Sequence, residues 1–286
     1  MTDHPALARG RVALITGAAS GIGLAAAQKF ASRGMKVFMA DSNPEGLKAA
    51  AQSVRASVKN PDEIREFLVD VGDLGEVQKL KDAAYAAFGE VALLMNNAGI
   101  GNGGGVFADP SRWRRVIDIN FYGVLNGVQT FGPAMIAQGT PCAIVNTGSK
   151  QGITAPPGDA AYNVSKAGVK VVTEALAYEL RNIEGCKVSA HLLIPGFTFT
   201  GLSTPSPTKP PGAWSAEQVV DFLLPAMGKG DFYVLCPDND VTREIDEKRM
   251  FWAAHDIIEN RPALSRWHPD YKDAFATFME APRPRT

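Results

Sequence analysis

The stretch that decides the fold is Val12-Ala-Leu-Ile-Thr16 followed by Gly17-Ala-Ala-Ser-Gly-Ile-Gly23 and an alanine-rich segment. A short apolar run that enters a glycine-rich turn and then a helical pattern is typical of the first strand, turn and helix of a dinucleotide-binding unit. In such a turn Gly17 permits the bend, Gly21 lets a pyrophosphate approach backbone amides, and Gly23 lets the helix pack closely on the sheet. We therefore predict that Ser20, Ile22 and the three glycines bind a cofactor. A turn that serves only strand–helix packing is the alternative.

Short apolar runs and longer helical patterns alternate along the rest of the chain. Further strands are predicted at 36–40, 66–69, 91–95, 143–146, 187–193 and 232–235, with helices at 22–33, after Pro44, and at 75–88, 111–137, 160–182 and 216–227. Such alternation builds a parallel sheet covered on both faces. The fold class is therefore α/β: a doubly wound, three-layer Rossmann fold whose ligand crevice lies at the carboxyl ends of the strands.

Composition excludes several classes of protein. The chain has 286 residues, 45% of them hydrophobic, and 29 basic against 30 acidic side chains give a net charge of −1. This balance provides no drive toward nucleic acid or an anionic membrane. The longest uncharged segment, 119–149, is interrupted by amides, glycines and prolines, so we interpret it as a buried helix (120–137) and a strand rather than a membrane span.

Cysteine usage and the first residues indicate the compartment. Cys142, Cys186 and Cys236 are odd in number and far apart, which argues against a disulfide framework. The first ten residues lack the charged start and apolar run of a signal peptide. We expect a cytoplasmic protein with its cysteines packed as small apolar side chains.

Asp41 follows the second predicted strand. A carboxylate there can accept hydrogen bonds from both hydroxyls of an adenosine ribose, and it would repel a 2′-phosphate. No lysine or arginine lies between Thr16 and Gly23, and Ser42 follows Asp41. NAD(H) is therefore favoured over NADP(H). Asp41 acting only as a cap of the turn before Pro44 is the alternative.

Tyr162 and Lys166 stand four residues apart, and therefore on one face of a helix. An ammonium about 4 Å from the phenol, at an effective dielectric near 20, is worth on the order of 4 kcal/mol, or roughly three pKa units. We therefore expect Lys166, helped by the positive charge of a bound nicotinamide cofactor, to lower the pKa of Tyr162 into the range of a working acid–base group. Ser149, just beyond a predicted strand, can reach the same crevice.

Together these residues resemble a known family. The chain from Arg9 to about Thr200 is similar to the compact branch of the short-chain dehydrogenase/reductase family. The motifs that carry the resemblance are Thr16-Gly-x-x-x-Gly-x-Gly23, Asn96-Asn-Ala-Gly99, Asn120, Ser149, Tyr162-x-x-x-Lys166 and Pro195-Gly196.

The resemblance implies four catalytic roles. Tyr162 would be the acid–base on the substrate oxygen, and Ser149 would orient that oxygen by a hydrogen bond. Lys166 would hold the nicotinamide ribose and lower the pKa of Tyr162. Asn120 would anchor a water that links Lys166 to solvent.

The resemblance also implies further cofactor contacts. Asp70, beside Val71, would meet the adenine amino group, and Thr200 the nicotinamide carboxamide. The remaining predicted contacts are Asn97, Ala98 and Gly99 on the adenosine ribose side, and Pro195, Gly196 and Thr198 facing the nicotinamide. A purely structural role is the alternative for Asn97, and a backbone role alone for Thr198. We predict no metal site.

The sequence departs from the family pattern at two places. Gly148 stands where the family often has a second serine, which leaves Ser149 as the only candidate. Beyond Thr200 a long ending replaces the usual short one, so we predict one domain over 1–237, containing a substrate loop or lid at 197–230, and a helical tail over 238–286. The strand at 232–235 with its helical tail looks somewhat like short-chain enzymes that act on bulky aromatic alcohols such as lignin-derived aryl ethers.

The predicted function is interconversion of a secondary alcohol and a ketone with NAD(H). No arginine is evident to clamp an anion, so the substrate is expected to be neutral and fairly apolar, aromatic or alicyclic. The predicted substrate contacts are Ser149, Gln151, Ala155, Tyr162, Phe197, Leu202 and Trp214, with Thr154, Pro156 and Phe199 in the same wall. A lyase or isomerase that uses the same tyrosine, or an idle NAD-binding sensor or scaffold, are the alternatives. The apolar helix 120–137, together with 160–182, predicts a homodimer or homotetramer.

Overall fold

The inner strands of the sheet coincide with apolar runs of the sequence, because a strand covered on both faces buries successive side chains. The edge strand Ile64–Leu68 instead exposes Arg65, Glu66 and Leu68. The computed structural model describes residues 3–202 and 208–282. Within those ranges seven strands form one parallel sheet. They are β1 (Val12–Thr16), β2 (Lys36–Asp41), β3 (Ile64–Leu68), β4 (Leu93–Asn96), β5 (Cys142–Thr147), β6 (Val188–Ile194) and β7 (Tyr233–Leu235).

The strand order β3-β2-β1-β4-β5-β6-β7 reverses direction at β1. The chain moves outward from β1 through β2 and β3, then returns to place β4 on the other side of β1. The crossovers on either side of this point leave a crevice at the carboxyl ends of β1 and β4. The predicted doubly wound parallel sheet is therefore confirmed, and the crevice position follows from it.

Helices cover both faces of the sheet. They are α1 (Gly21–Ser32), α2 (Pro44–Ala56), α3 (Leu74–Phe88), α4 (Pro110–Ile117), α5 (Gly123–Ala137), α6 (Gln151–Thr154), α7 (Ala160–Asn182), α8 (Ala216–Lys229), α9 (Arg243–Ile258) and α10 (Lys272–Glu280). A π-helical turn, Asp118–Tyr122, joins α4 to α5, so the predicted helix 111–137 is continuous but wider at this turn. None of the helices in the described ranges is long and apolar enough to cross a membrane.

Two apolar layers result from the alternation of side chains along the strands. Ile15 and Met39 belong to the layer beneath α1, α2 and α8, whereas Leu14 and Phe38 belong to the layer beneath α3, α5 and α7. Cys142 and Cys236 are buried within these layers and Cys186 is half-buried; all three are free thiols.

The predicted substrate loop or lid, residues 197–230, includes helix α8 in the structure. Residues 203–207 of the predicted lid lie outside the described residues. Val219, Leu223 and Met227 of α8 are buried in the layer that also holds α1, so this part of the predicted 197–230 segment packs as a structural helix. The tail continues as α9 and α10, joined by short 3₁₀ turns at Ser265–Trp267 and Pro269–Tyr271.

A chain of hydrogen bonds ties the N-terminus to the sheet. Ala6 N donates to His4 Nδ1 at 3.1 Å, and Asp231 O lies 2.7 Å from His191 Nδ1. The hydroxyl of Ser189 lies 3.1 Å from His4 Nε2 and 2.9 Å from His191 Nε2. All of these bonds are satisfied together if both rings are neutral, His4 donating to Ser189 and Ser189 donating to His191.

We predict that this arrangement makes stability depend on acid pH. Burial, with a smaller contribution from His191, lowers the pKa of His4 from 6.5 to about 4. The folded protein therefore binds a proton at His4 less readily than the unfolded chain does, so stability present above pH 6.5 is lost as the pH falls toward 4. The measurement is the free energy of unfolding by urea at pH 7 and pH 5, for the parent and for His4→Ala.

The pH-dependent loss is expected to be smaller in His4→Ala than in the parent. His268→Ala, at a part-exposed ring in the tail, serves as the control and should keep the parent's pH dependence. Equal losses in the parent and in His4→Ala would contradict the assignment.

Candidate functional site

The glycine-rich turn lies against the end of β4. Gly17 has φ 67°, and a Cβ built on it would lie 2.8 Å from the Cα of Ala98. A Cβ on Gly23 would lie 2.1 Å from the carbonyl oxygen of Gly17. Neither position has room for a larger residue. Gly17 therefore lets the turn approach Ala98, and Gly23 lets α1 pack directly on the turn. Gly23 itself does not line the crevice; it contributes by allowing this approach.

The N-terminus of α1 is open toward the crevice. The side chain of Ser20 makes no capping hydrogen bond, and the first turn of α1 carries no acidic residue. The N-termini of α2, α3 and α7 are instead capped by Asn43, Asp73 and Asp159. Uncapped amide groups at the positive end of a helix dipole favour an anionic ligand such as a pyrophosphate.

Asp41 ends β2 beside the same turn. Its Oδ2 accepts from Ala19 N at 2.9 Å and its Oδ1 from Asn43 N at 3.0 Å. Asp41 therefore braces the turn before Pro44, although Asn43 is the residue that caps α2. The carboxylate also lines the crevice, where each oxygen keeps further acceptor capacity for ribose hydroxyls.

Asp70 and Val71 line the next part of the crevice, after β3. The Oδ1 of Asp70 accepts from Gly72 N at 3.0 Å, and its Oδ2 pairs with Arg115 Nη1 at 2.7 Å. An adenine amino group at Asp70 would therefore share a carboxylate that is already ion-paired. This partner could not be predicted from the sequence, because Arg115 lies on α4, 45 residues further along the chain.

Asn97, Ala98 and Gly99 follow β4 and line the crevice. The Nδ2 of Asn97 donates to Thr16 O at 3.1 Å, and its Oδ1 accepts from Thr147 Oγ1 at 3.3 Å. Thr16 Oγ1 in turn accepts from the backbone of Asn97 and Ala98. The side chain of Asn97 thus joins the ends of β1, β4 and β5, which supports the structural alternative for it.

Ser149, Tyr162 and Lys166 converge at one end of the crevice. Ser149 follows β5, and the other two residues lie on α7, one turn apart. The Nζ of Lys166 lies 5.7 Å from the centre of the Tyr162 ring and donates to Thr147 O at 2.8 Å. Ser149 and Tyr162 lie close enough for hydrogen bonding between them to affect the pKa of the phenol, and the Oγ of Ser149 also accepts from Gln151 N at 3.1 Å. A hydroxyl, a phenol and an ammonium therefore meet at a single mouth.

The electrostatics of this trio differ from the expectation. Burial raises the pKa of Tyr162, the hydrogen bond from Ser149 lowers it, and the charge of Asp159 raises it again, with a net increase. Burial also lowers the pKa of Lys166 to about 8. In the protein without a cofactor the net direction thus differs from the expected lowering, because removal of water from the phenolate dominates. The expected lowering by Lys166 together with the charge of a bound cofactor stays a prediction.

Asn120 lies in the π-helical turn and is fully buried. Its Nδ2 donates to Ile100 O at 2.8 Å and to Ser165 Oγ at 3.1 Å, and its Oδ1 accepts from Ile100 N at 2.7 Å. It does not line the crevice, but it holds the strand end that does. A Cβ on Gly99 would lie 3.4 Å from Asn120 Oδ1 and 3.6 Å from Lys166 Nζ, which places the amide near the ammonium.

The loop after β6 forms another wall of the crevice. Pro195, Gly196, Thr198 and Thr200 all line the crevice. A Cβ on Gly21, where φ is 54°, would lie 3.1 Å from Thr200 Cγ2, so this loop lies directly over the glycine-rich turn. Thr198 is buried, and it bridges to Trp214 in a parallel arrangement.

The crevice is one cavity of about 660 Å³. It brings together nearly all the predicted cofactor residues and, of the predicted substrate residues, Ser149, Gln151, Tyr162, Phe197 and Leu202. Thr154, Ala155, Pro156, Phe199 and Trp214 do not line it. Trp214 packs on α8 instead, with its ring 5.8 Å from that of Phe222. Ala155 ends α6 in a left-handed conformation.

Sequence reasoning missed Asp159, which also lines the cavity. This carboxylate accepts from Tyr162 N at 3.2 Å, so it caps α7, and from Gly103 N and Gly104 N at 3.3 and 3.0 Å. It thereby gives the glycine run 101–105 an anchor beside Tyr162. An aspartate three residues before the tyrosine was a usable capping signal.

Comparison with known proteins agrees with this geometry. A sequence model of the short chain dehydrogenase family matches residues 11–210. SadH of Mycobacterium tuberculosis is 40% identical over 174 residues, which are 60% of this chain and 61% of that protein. The chain thus matches less than two thirds of the length of this relative.

Two other proteins match over most of the chain. The 1-deoxy-11-beta-hydroxypentalenate dehydrogenase of Streptomyces exfoliatus is 29% identical over 264 residues, covering 90% of this chain and 94% of that one. A short chain dehydrogenase/reductase of Burkholderia phymatum, whose crystal structure contains NAD, superposes with a TM-score of 0.80 at 33% identity, covering 91% of this chain and 97% of the other.

Proposed function

We propose that this chain, which belongs to the short-chain dehydrogenase/reductase family, uses NAD(H) to interconvert a secondary alcohol and a ketone on a neutral, fairly apolar substrate. That it is an oxidoreductase acting on CH–OH groups follows from the family. One observation is the main support for the proposal. Ser149, Tyr162 and Lys166 lie together at one end of a cavity whose other end contains an uncapped helix N-terminus.

The residues fit a nicotinamide dinucleotide. The open N-terminus of α1 suits the pyrophosphate, Asp41 suits the adenosine ribose, and the buried Lys166 suits the second ribose. When bound, the nicotinamide ring accepts or supplies the hydride. The NAD found in the Burkholderia phymatum relative supports the same class of cofactor.

The protein's own residues manage the proton. The raised pKa of Tyr162 keeps its Oη protonated at neutral pH, which is the form that donates a proton to a ketone oxygen. Ser149 forms a hydrogen bond at the same phenol and can accept or donate a second one to the substrate oxygen. In the oxidation direction Tyr162 must lose its proton, so rising pH favours that direction.

Asp41 supports the preference for NAD(H). Its carboxylate is fixed by Ala19 N and Asn43 N, so it cannot turn away from a ligand at the crevice. The 2′-phosphate of NADP(H) would bring a second negative charge to this point. Among the described lining residues the cations are Lys150 and Lys166, at the far end of the cavity.

The cavity lining supports a neutral substrate. Phe197, Leu202 and Ile100 supply apolar surface beside Ser149 and Tyr162. Lys150 is engaged with two carboxylates, and no arginine is found among the described residues of the lining. An anionic substrate group would therefore find no available guanidinium in that part of the chain.

Tyr162→Phe is expected to retain NADH binding and to lose turnover by at least about 10²-fold, because positioned proton transfer contributes roughly 10²–10⁴-fold. Turnover is followed at 340 nm with a panel of secondary alcohols and ketones, and binding by calorimetry. Tyr271→Phe, at a tyrosine of the tail whose ring packs on His268, is the matched control and should behave like the parent. Full activity in Tyr162→Phe would refute the mechanism.

Asp41→Asn is expected to raise the ratio of kcat/KM with NADP⁺ to kcat/KM with NAD⁺ by about tenfold, the effect of roughly 1.4 kcal/mol of repulsion removed. Asp62→Asn removes an equal charge from a side chain that is 89% exposed, and it should leave the ratio unchanged. An unchanged ratio in Asp41→Asn would show that Asp41 serves only the turn.

We also propose that the chain forms a symmetric homo-oligomer through α7. Val164, Val171 and Tyr178 recur every seven residues on this helix, and each is more than half exposed. Residues at that spacing share one helix face, and Tyr122 adds a further exposed ring on the neighbouring π-helical turn. A contiguous apolar row of this kind is the surface that a two-fold axis would bury.

Val171→Glu is expected to shift the mass in sedimentation equilibrium toward the 30.5 kDa of a single chain, because it places two carboxylates across the two-fold axis. Val106→Glu makes the same change at a 73% exposed valine away from α7 and should leave the mass at the parent's value. A parent that sediments as a single chain would rule out the proposed association.

A further inference from the structure

A buried ion-pair cluster lies against the nicotinamide side of the cavity. Lys150 Nζ is 3.3 Å from Asp238 Oδ2 and 2.6 Å from Asp246 Oδ2. The three side chains, called here the Lys150 cluster, are 16%, 4% and 7% exposed. Lys150 follows the catalytic Ser149 directly, whereas Asp246 comes from helix α9 of the tail. The tail therefore reaches a residue adjacent to the reacting groups.

The same cluster holds the loop after β6. The amide of Lys150 donates to Pro195 O at 3.3 Å, and the amide of Phe197 donates to Asp238 Oδ2 at 3.1 Å. A Cβ on Gly196 would lie 2.5 Å from Asp238 Oδ2 and 2.8 Å from Lys150 Nζ. Gly196 is thus pressed against the ion pair, and the two sides of the cavity mouth meet at the cluster.

The two carboxylates reach Lys150 by different routes. Asp238 is fixed by its own turn, since its Oδ1 accepts from Asp240 N at 3.2 Å and Val241 N at 2.8 Å. Asp246 has no such local partner, and its position depends on where α9 packs. The charged groups that face Asp246 are Lys150, which directly precedes α6, Asp238 from the turn, Arg249 from α9 and Arg266 from the following 3₁₀ turn.

We propose that Asp238 and Asp246 are positioning residues. They act through Lys150 to hold the turn that contains Ser149 and the loop Pro195–Phe197 in fixed positions relative to each other. This inference rests on the proposed function, because it assigns Ser149 to the substrate oxygen and the loop to the nicotinamide. The tail then takes part in turnover without touching substrate. A displacement of about 1 Å at such a point can cost on the order of 10²-fold in rate.

The test compares Asp246→Asn, Lys150→Met and the double variant with the parent. Asp246→Asn leaves Lys150 paired with Asp238, so the amine keeps a counter-charge, while Arg249 and Arg266 each lose one nearby carboxylate. The readouts are kcat, KM and the affinities for NADH and for ADP-ribose by calorimetry. ADP-ribose lacks only the nicotinamide, so it reports the glycine-rich turn, Asp41 and the contact of Lys166 with the second ribose, without the nicotinamide side of the cavity.

Lys248→Met is the matched control. Lys248 lies on the same helix, is 8% exposed at its side chain, pairs with Glu244 at 3.1 Å and donates to Met279 O at 2.9 Å. Its loss should lower the melting temperature through the tail, with kinetics and ligand affinities unchanged. It therefore separates a loosened tail from a loosened site.

For Asp246→Asn we expect kcat to fall by about tenfold or more, NADH affinity to weaken by several-fold and ADP-ribose affinity to stay within about twofold of the parent. In the Lys150→Met background, Asp246→Asn should cause no further loss, since both act through one amine.

Three results would each overturn the proposal: parental kcat in Asp246→Asn, equal loss of both ligands, or losses that add in the double variant. Faster hydrogen exchange over residues 195–200 in Asp246→Asn, but not in Lys248→Met, is expected without any ligand. The parent's own NADH binding and turnover test the proposed function separately.

Discussion

The contact between Gly23 and the carbonyl of Gly17 is the constraint on which the site depends. A Cβ at Gly23 would overlap that carbonyl at 2.1 Å, so α1 lies on the turn only because Gly23 lacks a side chain, while the bare Gly17 lets the same turn lie against Ala98. This approach leaves the first amides of α1 uncapped and turned toward the cavity. It also leaves room for Thr200 over Gly21, which brings the loop after β6 to the same place. The site is therefore assembled by backbone contacts before any charged side chain contributes.

Burial sets the chemistry of the groups that the backbone brings together. It raises the pKa of Tyr162 and lowers that of Lys166 to about 8, so both groups are driven toward their neutral forms. The spacing of Tyr162 and Lys166 in the sequence indicates an attraction between a phenolate and an ammonium. It does not indicate how much water each group loses on folding. Desolvation of two neighbouring groups outweighs their attraction when the ammonium is bonded to a carbonyl at 2.8 Å instead of to the phenol. A ligand charge near Tyr162 then has a large effect, because little solvent remains to screen it.

Features formed by residues close together in the sequence could be predicted, whereas contacts between residues far apart in the sequence could not. The turn at Gly17–Gly23 and the pair Tyr162–Lys166 are local motifs. Their spacing, together with the positions of Ser149 and Asn97 just after predicted strands, indicates a shared crevice, and Gly17, Asn97, Ser149, Tyr162 and Lys166 all line one cavity. The residues of the substrate wall were harder to predict. Trp214 and Ala155 are close in sequence to other candidate residues, but Trp214 packs on Phe222 instead. Arg115 on Asp70 and the carboxylates on Lys150 could not be anticipated, because each pair joins residues that only the tertiary fold brings together. Asp159 was local and was overlooked.

The tail shows why the limits of the family match need not be the limits of the active site. The family match ends at residue 210, before Asp238 and Asp246, yet both carboxylates reach the lysine that follows Ser149. A lysine buried at this point without counter-charges would lose much of its hydration with no compensation, and its stem would be free to swing. Two carboxylates from different elements fix the amine in direction as well as in charge. Gly196 lies against the same amine. The proposed role of the cluster therefore implies that a movement of α9 would be transmitted to the Pro195–Phe197 loop, so that a segment outside the matched region shares control of the site geometry.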